Sequence, residues 1–591
     1  MLWSQWDYFT RAVIPAAAGF YTFGAPLLWR DLGRAGPGVI LLSPAVLLAA
    51  AVLLVRRNYT TGLADRTQPL GERAAFAAGA MLLVACWLAG VSFAYRWVFA
   101  LLLLPWLLRR QREGVPAARR ALTLLVIALW MDGLICLGLN LTLVRLDDGI
   151  MMGGQRIWRL VSQPLIWALM ALLAGWLLEL WYEYWRDLQR EWTWPRWLTP
   201  RSLLAGLVVF GLLGYVLAPR ARAVLGITDY GMWFLDSYAV LAASDAHRDG
   251  LDITQANSYD PLNRPHRYSD WWLGLVRLGL TREDNFLVGS SWVLGFLGAI
   301  FLTLRPRSHA EAAWLALLVL SPSVLQGIVR ANNDLVIFAL LALALLARRL
   351  PGAWGCLLGI AAVVVATGLK FYPVAAGAAF LLVRPIRSMV VTVLAAALAL
   401  GATLWSVWPQ LARGVFPIEP TVHVWGGRLW LEDLGLRADF ALPVILLVHV
   451  VAAAWLVRGG RMRGSSGADN APAFILAAVV LLACFAAGSN YSYRWIFALW
   501  LGPWLWDSWR EQQKASVPWS RVALWLVPLV LWQDGLLCAA VNLGSVKVPV
   551  AQYESLQHYW RLGTQPLTWL LMILLAGWLL QTVVTAARCA A

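Results

Sequence analysis

Leu287-Val-Gly-Ser-Ser-Trp-Val-Leu-Gly-Phe-Leu-Gly-Ala-Ile-Phe-Leu-Thr-Leu-Arg305-Pro-Arg307 runs for eighteen residues without a charge and then stops at two arginines. An uncharged stretch of that length is long enough to cross the hydrocarbon core of a bilayer as a helix, and the arginines mark where it meets water. Comparable runs recur along the whole chain. Of its 591 residues 60% are hydrophobic and only 14% charged, with mean hydropathy +0.65. That composition excludes a soluble globular protein and predicts an all-α polytopic membrane protein. The 37 tryptophans fit such a protein, because indoles favour the membrane–water interface. Trp97, Trp106, Trp408, Trp504 and Trp560 stand at run ends and are expected there.

The formal charge of +16 comes from arginines near span ends. No continuous basic patch exists, so nucleic acid is not an expected partner. Cys86, Cys136, Cys356, Cys484 and Cys538 lie in apolar runs and read as packing residues rather than a disulfide framework. The polar, aromatic N-terminus lacks the pattern of a cleavable signal.

Residues 1–180 repeat as 403–582. Leu2-Trp3-Ser4-x-Trp6 returns as Leu404-Trp405-Ser406-x-Trp408, Tyr95-Arg96-Trp97 as Tyr493-Arg494-Trp495, and Trp130-x-Asp132-Gly133 as Trp532-x-Asp534-Gly535. The offset is 402 at both ends and 398 in the middle, a duplication with one small indel. Only the part near 200–400 occurs once, so the chemistry is expected there or shared with the second copy.

Twelve spans are expected in the unique and C-terminal parts: 201–218, 287–305, 309–327, 334–348, 353–369, 374–384, 388–408, 438–457, 471–489, 493–506, 521–543 and 564–584. Basic clusters then fall on alternate sides, placing Arg305, Arg348-Arg349, Arg458 and Arg510 in the cytoplasm of a plasma or inner membrane protein. The segments 219–286, 330–334, 370–373 and 409–437 face the other side. Five further spans (37–55, 75–93, 95–108, 121–142 and 160–182) make up the first copy, and both copies run in the same direction. The expected organisation is a half-module over 1–185, a cytoplasmic linker over 186–200, and a bundle of about twelve spans whose halves are 201–400 and 401–591. Residues 1–36 would lie outside with no span before them, so either upstream spans precede Met1 or a half-module is fused to a whole one.

The outside loop 219–286 is rich in carboxylates. Asp229 to Ser244 reads as an amphipathic helix on the membrane surface, with Asp229, Trp233 and Asp236 on one face. A carboxylate at the apolar boundary loses hydration and gains basicity, as a general base requires. Asp236 is therefore the leading catalytic candidate and Asp229 the second. His247 with Asp245 and Asp249 has a spacing common in acidic loops, so no metal and no cofactor is expected.

Together these features resemble the GT-C-fold glycosyltransferases, and more closely glycosyltransferase family 87, which includes mannosyl- and arabinofuranosyltransferases. The resemblance rests on Asp236 with Ala243 in the loop helix, on Arg330-Ala-Asn332-Asn333-Asp334-Leu335 before a Leu-rich span, and on Gly368-Leu-Lys370-Phe-Tyr372-Pro373. It covers about 200–400 well and the remainder only as architecture. Two departures stand out: Arg330-Ala where the family has Gly-Gln, and Gly250-Leu-Asp-Ile-Thr254 where it has Gly-x-x-x-Tyr.

The resemblance implies transfer of a sugar from a polyprenyl-phosphate donor to a lipid or glycan hydroxyl on the extracytoplasmic side, with inversion. Lys370, Arg330 and Tyr372 would receive the donor phosphate, Lys370 and Arg330 as cations at the outer boundary. Asn332, Asn333, His423 and Arg428 would line the substrate groove. Asp236 would take the proton from the acceptor.

Asp132 and Asp534 lie deep in their helices, where a charge needs a partner. Arg494 or Arg561, and Arg96 or Arg159 in the first copy, are the expected ones. Two other classes compete with the enzyme. A transporter or flippase of a lipid-linked sugar would use Asp534 at mid-membrane, and a scaffold would use residues 1–190 for packing alone.

Overall fold

The computed structural model describes residues 22–23, 37–60, 62–63, 65, 68–88, 92–141, 148–191, 195, 197–227, 232–254, 256–350, 352–378, 386–412, 423–459, 462, 469–488, 490–511, 519–543 and 550–590. The chain forms two compact units, Met1–Trp194 with Leu543–Lys547, and Pro195–Asn542 with Val548–Ala591. Helix dominates both, as expected for a polytopic membrane protein whose backbone groups must be satisfied within each span. Among the described residues eight helices are long and apolar enough to cross a membrane: Leu70–Leu88, Ser162–Tyr184, Pro200–Leu217, Arg282–Thr303, Val390–Gln410, Phe440–Arg458, Trp519–Ala539 and Trp560–Thr585. Val46–Arg56, Asp334–Ala347, Trp354–Leu369 and Ala471–Ala487 are shorter apolar helices.

Several expected spans have a different form. The run 309–327 is two helices, His309–Val319 and Pro322–Arg330, bent by 56°. Pro322 causes the break: it holds no N–H for the ladder and keeps Ser321 in an extended conformation. The run 493–506 opens as a 3₁₀ segment, Ser492–Trp500, before the helix Leu501–Glu511. Every residue from Trp495 to Trp500 is buried, so this element belongs to the core of its unit. Its counterpart in the first copy, Ala94–Leu102, is also 3₁₀. In place of the start of 374–384 stands a short 3₁₀ turn, Tyr372–Ala376.

Each unit packs around the same aromatic triangle. Phe76, Trp106 and Trp176 have ring centroids 4.3, 5.5 and 5.3 Å apart in the first unit. Phe474, Trp504 and Trp578, their sequence counterparts, stand 3.9, 5.9 and 5.3 Å apart in the second. Each contact of this kind contributes roughly 0.5–1.5 kcal/mol beyond the area it buries. The expectation that tryptophans at run ends sit at the interface fails for Trp97, Trp106 and Trp504, which are buried, whereas Trp408 is exposed. A two-residue antiparallel ladder also recurs. Strand β1 (Thr22–Phe23) pairs β2 (Ser92–Phe93), and β3 (Val424–Trp425) pairs β4 (Asn490–Tyr491) at equivalent positions.

Candidate functional site

The expected helix from Asp229 begins later, at Leu235, after Phe234 in the left-handed region at φ 64°. It does not lie on a surface. All but one of its residues from Leu235 to Ala246 are buried, so no single face carries its apolar character. Asp229 lies outside the described residues.

Asp236 is 2% exposed and fully engaged. Its Oδ1 accepts from Arg330 Nη2 at 2.7 Å and from Arg264 Nη1 at 3.1 Å. Oδ2 accepts from Arg330 Nε at 2.9 Å and from Asn332 Nδ2 at 2.7 Å. These bonds fill the acceptor positions a carboxylate has. Burial pushes its pKa up, but the charges and hydrogen bonds of Arg330, Arg264 and Asn332 outweigh it and hold the carboxyl near 2. The expectation of raised basicity is thereby overturned.

The backbone is bent to make this possible. Ala331 ends the helix Pro322–Arg330 in the left-handed region at φ 42°, which turns Arg330 and Asn332 toward the same carboxylate. Phe234 donates its N–H to Val329 O at 2.9 Å and ties the loop helix to that turn. Such conformations cost non-glycine residues about 1–3 kcal/mol each and persist where the surroundings enforce them. Arg264 is held in turn by Asp260, with Nη2 2.8 Å from Oδ2.

A second carboxylate gathers the remaining cations. Asp334, fully buried, accepts a short hydrogen bond from Lys370 Nζ and one of 2.7 Å from Tyr372 Oη. Arg494 Nε stands 3.6 Å from its other oxygen. Lys370 also donates to Asn333 Oδ1 at 2.7 Å. Thus Arg330, Asn332, Asn333, Lys370 and Tyr372, read from the sequence, do meet in one cluster. Lys370 and Arg330, expected at the outer boundary as phosphate ligands, are each paired with an aspartate, Asp334 and Asp236. Arg428 stays apart, exposed and bonded to Glu432.

His423 belongs to a neighbouring group. Its Nδ1 lies 3.7 Å from Asp534 Oδ2, which also accepts a short bond from Ser492 Oγ. Burial works against the imidazolium, but Asp534 and Cys538 beside it raise its pKa to about 10. The expected arginine partners of Asp534 are engaged elsewhere: Arg494 with Asp334, and Arg561 with Asp433 at 3.3 Å. The side chains of Asp132, Arg96 and Arg159 lie outside those described. Ser492, Tyr493 and Arg494 run consecutively, so one 3₁₀ segment touches Asp534 at one residue and Asp334 two residues later. Tyr493 stands between, its ring 6.0 Å from Lys370 Nζ.

Sequence reasoning missed Arg264, Asp260 and Arg494 as site residues, and quoted Asp334 without giving it a role. Asp334, an acid opening a Leu-rich helix directly after two asparagines, carried a usable signal. Arg264 carried none, since its position depends on a loop that folds back. Compared with protein-family models, with curated proteins and with solved structures, the chain matches none.

Proposed function

We propose that the chain is a membrane glycosyltransferase that moves a sugar from a polyprenyl-phosphate donor to a lipid or glycan hydroxyl on the extracytoplasmic side, within a GT-C-like bundle. The observation that carries the reading is the cluster itself. Four cations, Arg264, Arg330, Lys370 and Arg494, are held by three buried carboxylates, Asp236, Asp260 and Asp334, in unit two. That leaves one positive charge in excess, in a low-dielectric setting where a phosphate group interacts strongly. A pre-ordered set of donors stabilises the departing phosphate without reorganisation at the moment of reaction. The Arg330 fork and the Tyr372 proton are spent on Asp236 and Asp334, so a phosphate would be met by the excess charge of the cluster and by the remaining proton of Lys370 Nζ. Asp236 acts here by fixing Arg330 and Arg264 in place.

The test is transfer by the purified chain from a panel of polyprenyl-phosphate sugars to alkyl glycosides. Transfer from at least one donor, abolished by Lys370→Met in a protein that still folds, supports the reading.

A transporter or flippase of a lipid-linked sugar is the second reading. The bent pair His309–Val319 and Pro322–Arg330 favours it, because discontinuous helices line the substrate sites of carriers. Movement of a labelled lipid-linked sugar across proteoliposomes, without transfer, would decide for it.

A further inference from the structure

Beside the cation cluster lies a small pocket of about 270 Å³ of empty space, open solvent included, whose enclosed part admits one small group. Its polar walls are Ser323, Gln326, His423, Ser492, Tyr493 and Asp534. Two acceptors there are unfilled. Gln326 Oε1 is buried without a hydrogen-bond partner. Asp534 is 3% exposed, and the bond from Ser492 and the approach of His423 both fall on Oδ2, which leaves Oδ1 unengaged among the described residues. This is the reverse of Asp236, whose two oxygens are saturated.

A buried acceptor without a donor costs free energy, so Gln326 Oε1, with Asp534 Oδ1 open to the same pocket, marks a place for a group that donates hydrogen bonds. A hydroxyl fits the enclosed part, and since one O–H makes one donation, a second hydroxyl of the same acceptor molecule would serve the other oxygen. The pocket also adjoins the cluster through two elements. Gln326 precedes Arg330 by one helical turn, on the same side of the helix Pro322–Arg330. Tyr493 walls the pocket and stands over Lys370.

We propose that this pocket binds the acceptor hydroxyl, and that Asp534 Oδ1, not Asp236, takes its proton. The proposal rests on the glycosyl-transfer reading above. In the step, the acceptor O–H bond breaks and its proton passes to Asp534 Oδ1. The freed oxygen forms a bond to the anomeric carbon. The bond from that carbon to the phosphate oxygen breaks, and its electron pair leaves with the polyprenyl phosphate. Ser492 and His423 are positioning residues, because both act on Oδ2 and fix the carboxylate plane. Gln326 Oε1 accepts from a second hydroxyl of the same acceptor and so anchors it in the pocket.

The test compares wild type, Asp534→Asn, Asp534→Glu and Gln326→Leu, purified as the full chain. Each is assayed for transfer to alkyl glycosides, and separately for binding of a radiolabelled polyprenyl-phosphate sugar. Loss of general-base action lowers kcat by about 100-fold or more in Asp534→Asn, with donor affinity unchanged. Gln326→Leu raises the KM for the alkyl glycoside by about tenfold and leaves kcat near wild type. If Asp534→Asn fails to fold, Asp534→Glu keeps the carboxylate, and measurable transfer with a raised acceptor KM is the expected result. Transfer by Asp534→Asn within a few-fold of wild type overturns the proposal and leaves the glycosyl-transfer reading standing. A loss of donor binding equal to the loss of transfer also overturns it, in favour of a structural role. No transfer by wild type from any donor overturns both.

Discussion

Arg330 grips Asp236 with two parallel hydrogen bonds, Nε to Oδ2 at 2.9 Å and Nη2 to Oδ1 at 2.7 Å, across 94 positions of sequence. The pair joins the loop helix to the end of the bent helix pair, and both partners are largely buried. Removing one member of such a pair strands the other. Arg330→Ala is expected to cost about 3–5 kcal/mol, read as a fall in thermal midpoint in detergent. Arg330→Lys should recover little of it, since one ammonium cannot bridge both carboxylate oxygens.

Acid should unfold the second unit through the same carboxylate. The folded pKa of Asp236 is depressed, from 3.8 to about 2. The stability it contributes is therefore present above the unfolded value and lost as pH falls through the folded one. The linkage amounts to about 2 kcal/mol, disappearing between roughly pH 5 and pH 2. Thermal unfolding scans across that range should show a steeper acid slope for wild type than for Asp236→Asn. Equal slopes would mean that the guanidiniums do not hold the carboxylate as described.

Lys370 and Asp334 should prove energetically coupled. Lys370→Met and Asp334→Asn each break the same buried contact, and the double variant loses it only once. A double-mutant cycle on unfolding should give a coupling of at least about 1 kcal/mol. Additive losses would show that the contact contributes nothing of its own.

Gly226 sits on the pocket wall at φ +71°, and a Cβ there would meet Cys538 Sγ at 2.4 Å. Gly226→Ala therefore combines left-handed strain with overpacking, and should destabilise by about 1–3 kcal/mol. Its effect on transfer should appear in acceptor KM before donor binding.

The two copies differ where the pocket is made. Position 423 is His in the second copy and Tyr21 in the first, and Ser492 corresponds to Ala94, while the aspartate is kept as Asp534 and Asp132. Converting the second copy toward the first, with His423→Tyr and Ser492→Ala, should reduce transfer by about tenfold or more through misorientation of the carboxylate. The donor's Kd should hold.

The membrane class was legible at once, because long uncharged runs ended by arginine admit few other readings. Arg330, Asn332, Asn333, Lys370 and Tyr372 were legible as a group, since they flank helix ends at the same expected level. Their state was not. Charge alternation places residues on a side, but it says nothing of which carboxylate faces which cation. Asp236 reads as an isolated acid in an apolar helix, and only the folded chain brings in Arg264 from 28 positions away to saturate it. The 3₁₀ segment at Ser492–Trp500 was hidden for another reason. Its apolar run has the composition of a span, and burial within its unit leaves no trace in hydropathy. The partner of Asp534 was missed because a distant arginine looked stronger than a distant histidine.

The most direct test of the account is sugar transfer by the purified chain in lipid nanodiscs, with radiolabelled polyprenyl-phosphate sugars and alkyl glycosides, for wild type and Lys370→Met. The account predicts transfer from at least one donor and a loss of about 100-fold or more in the variant, with its fold retained. Transfer unchanged in Lys370→Met, or none from any donor, would contradict it.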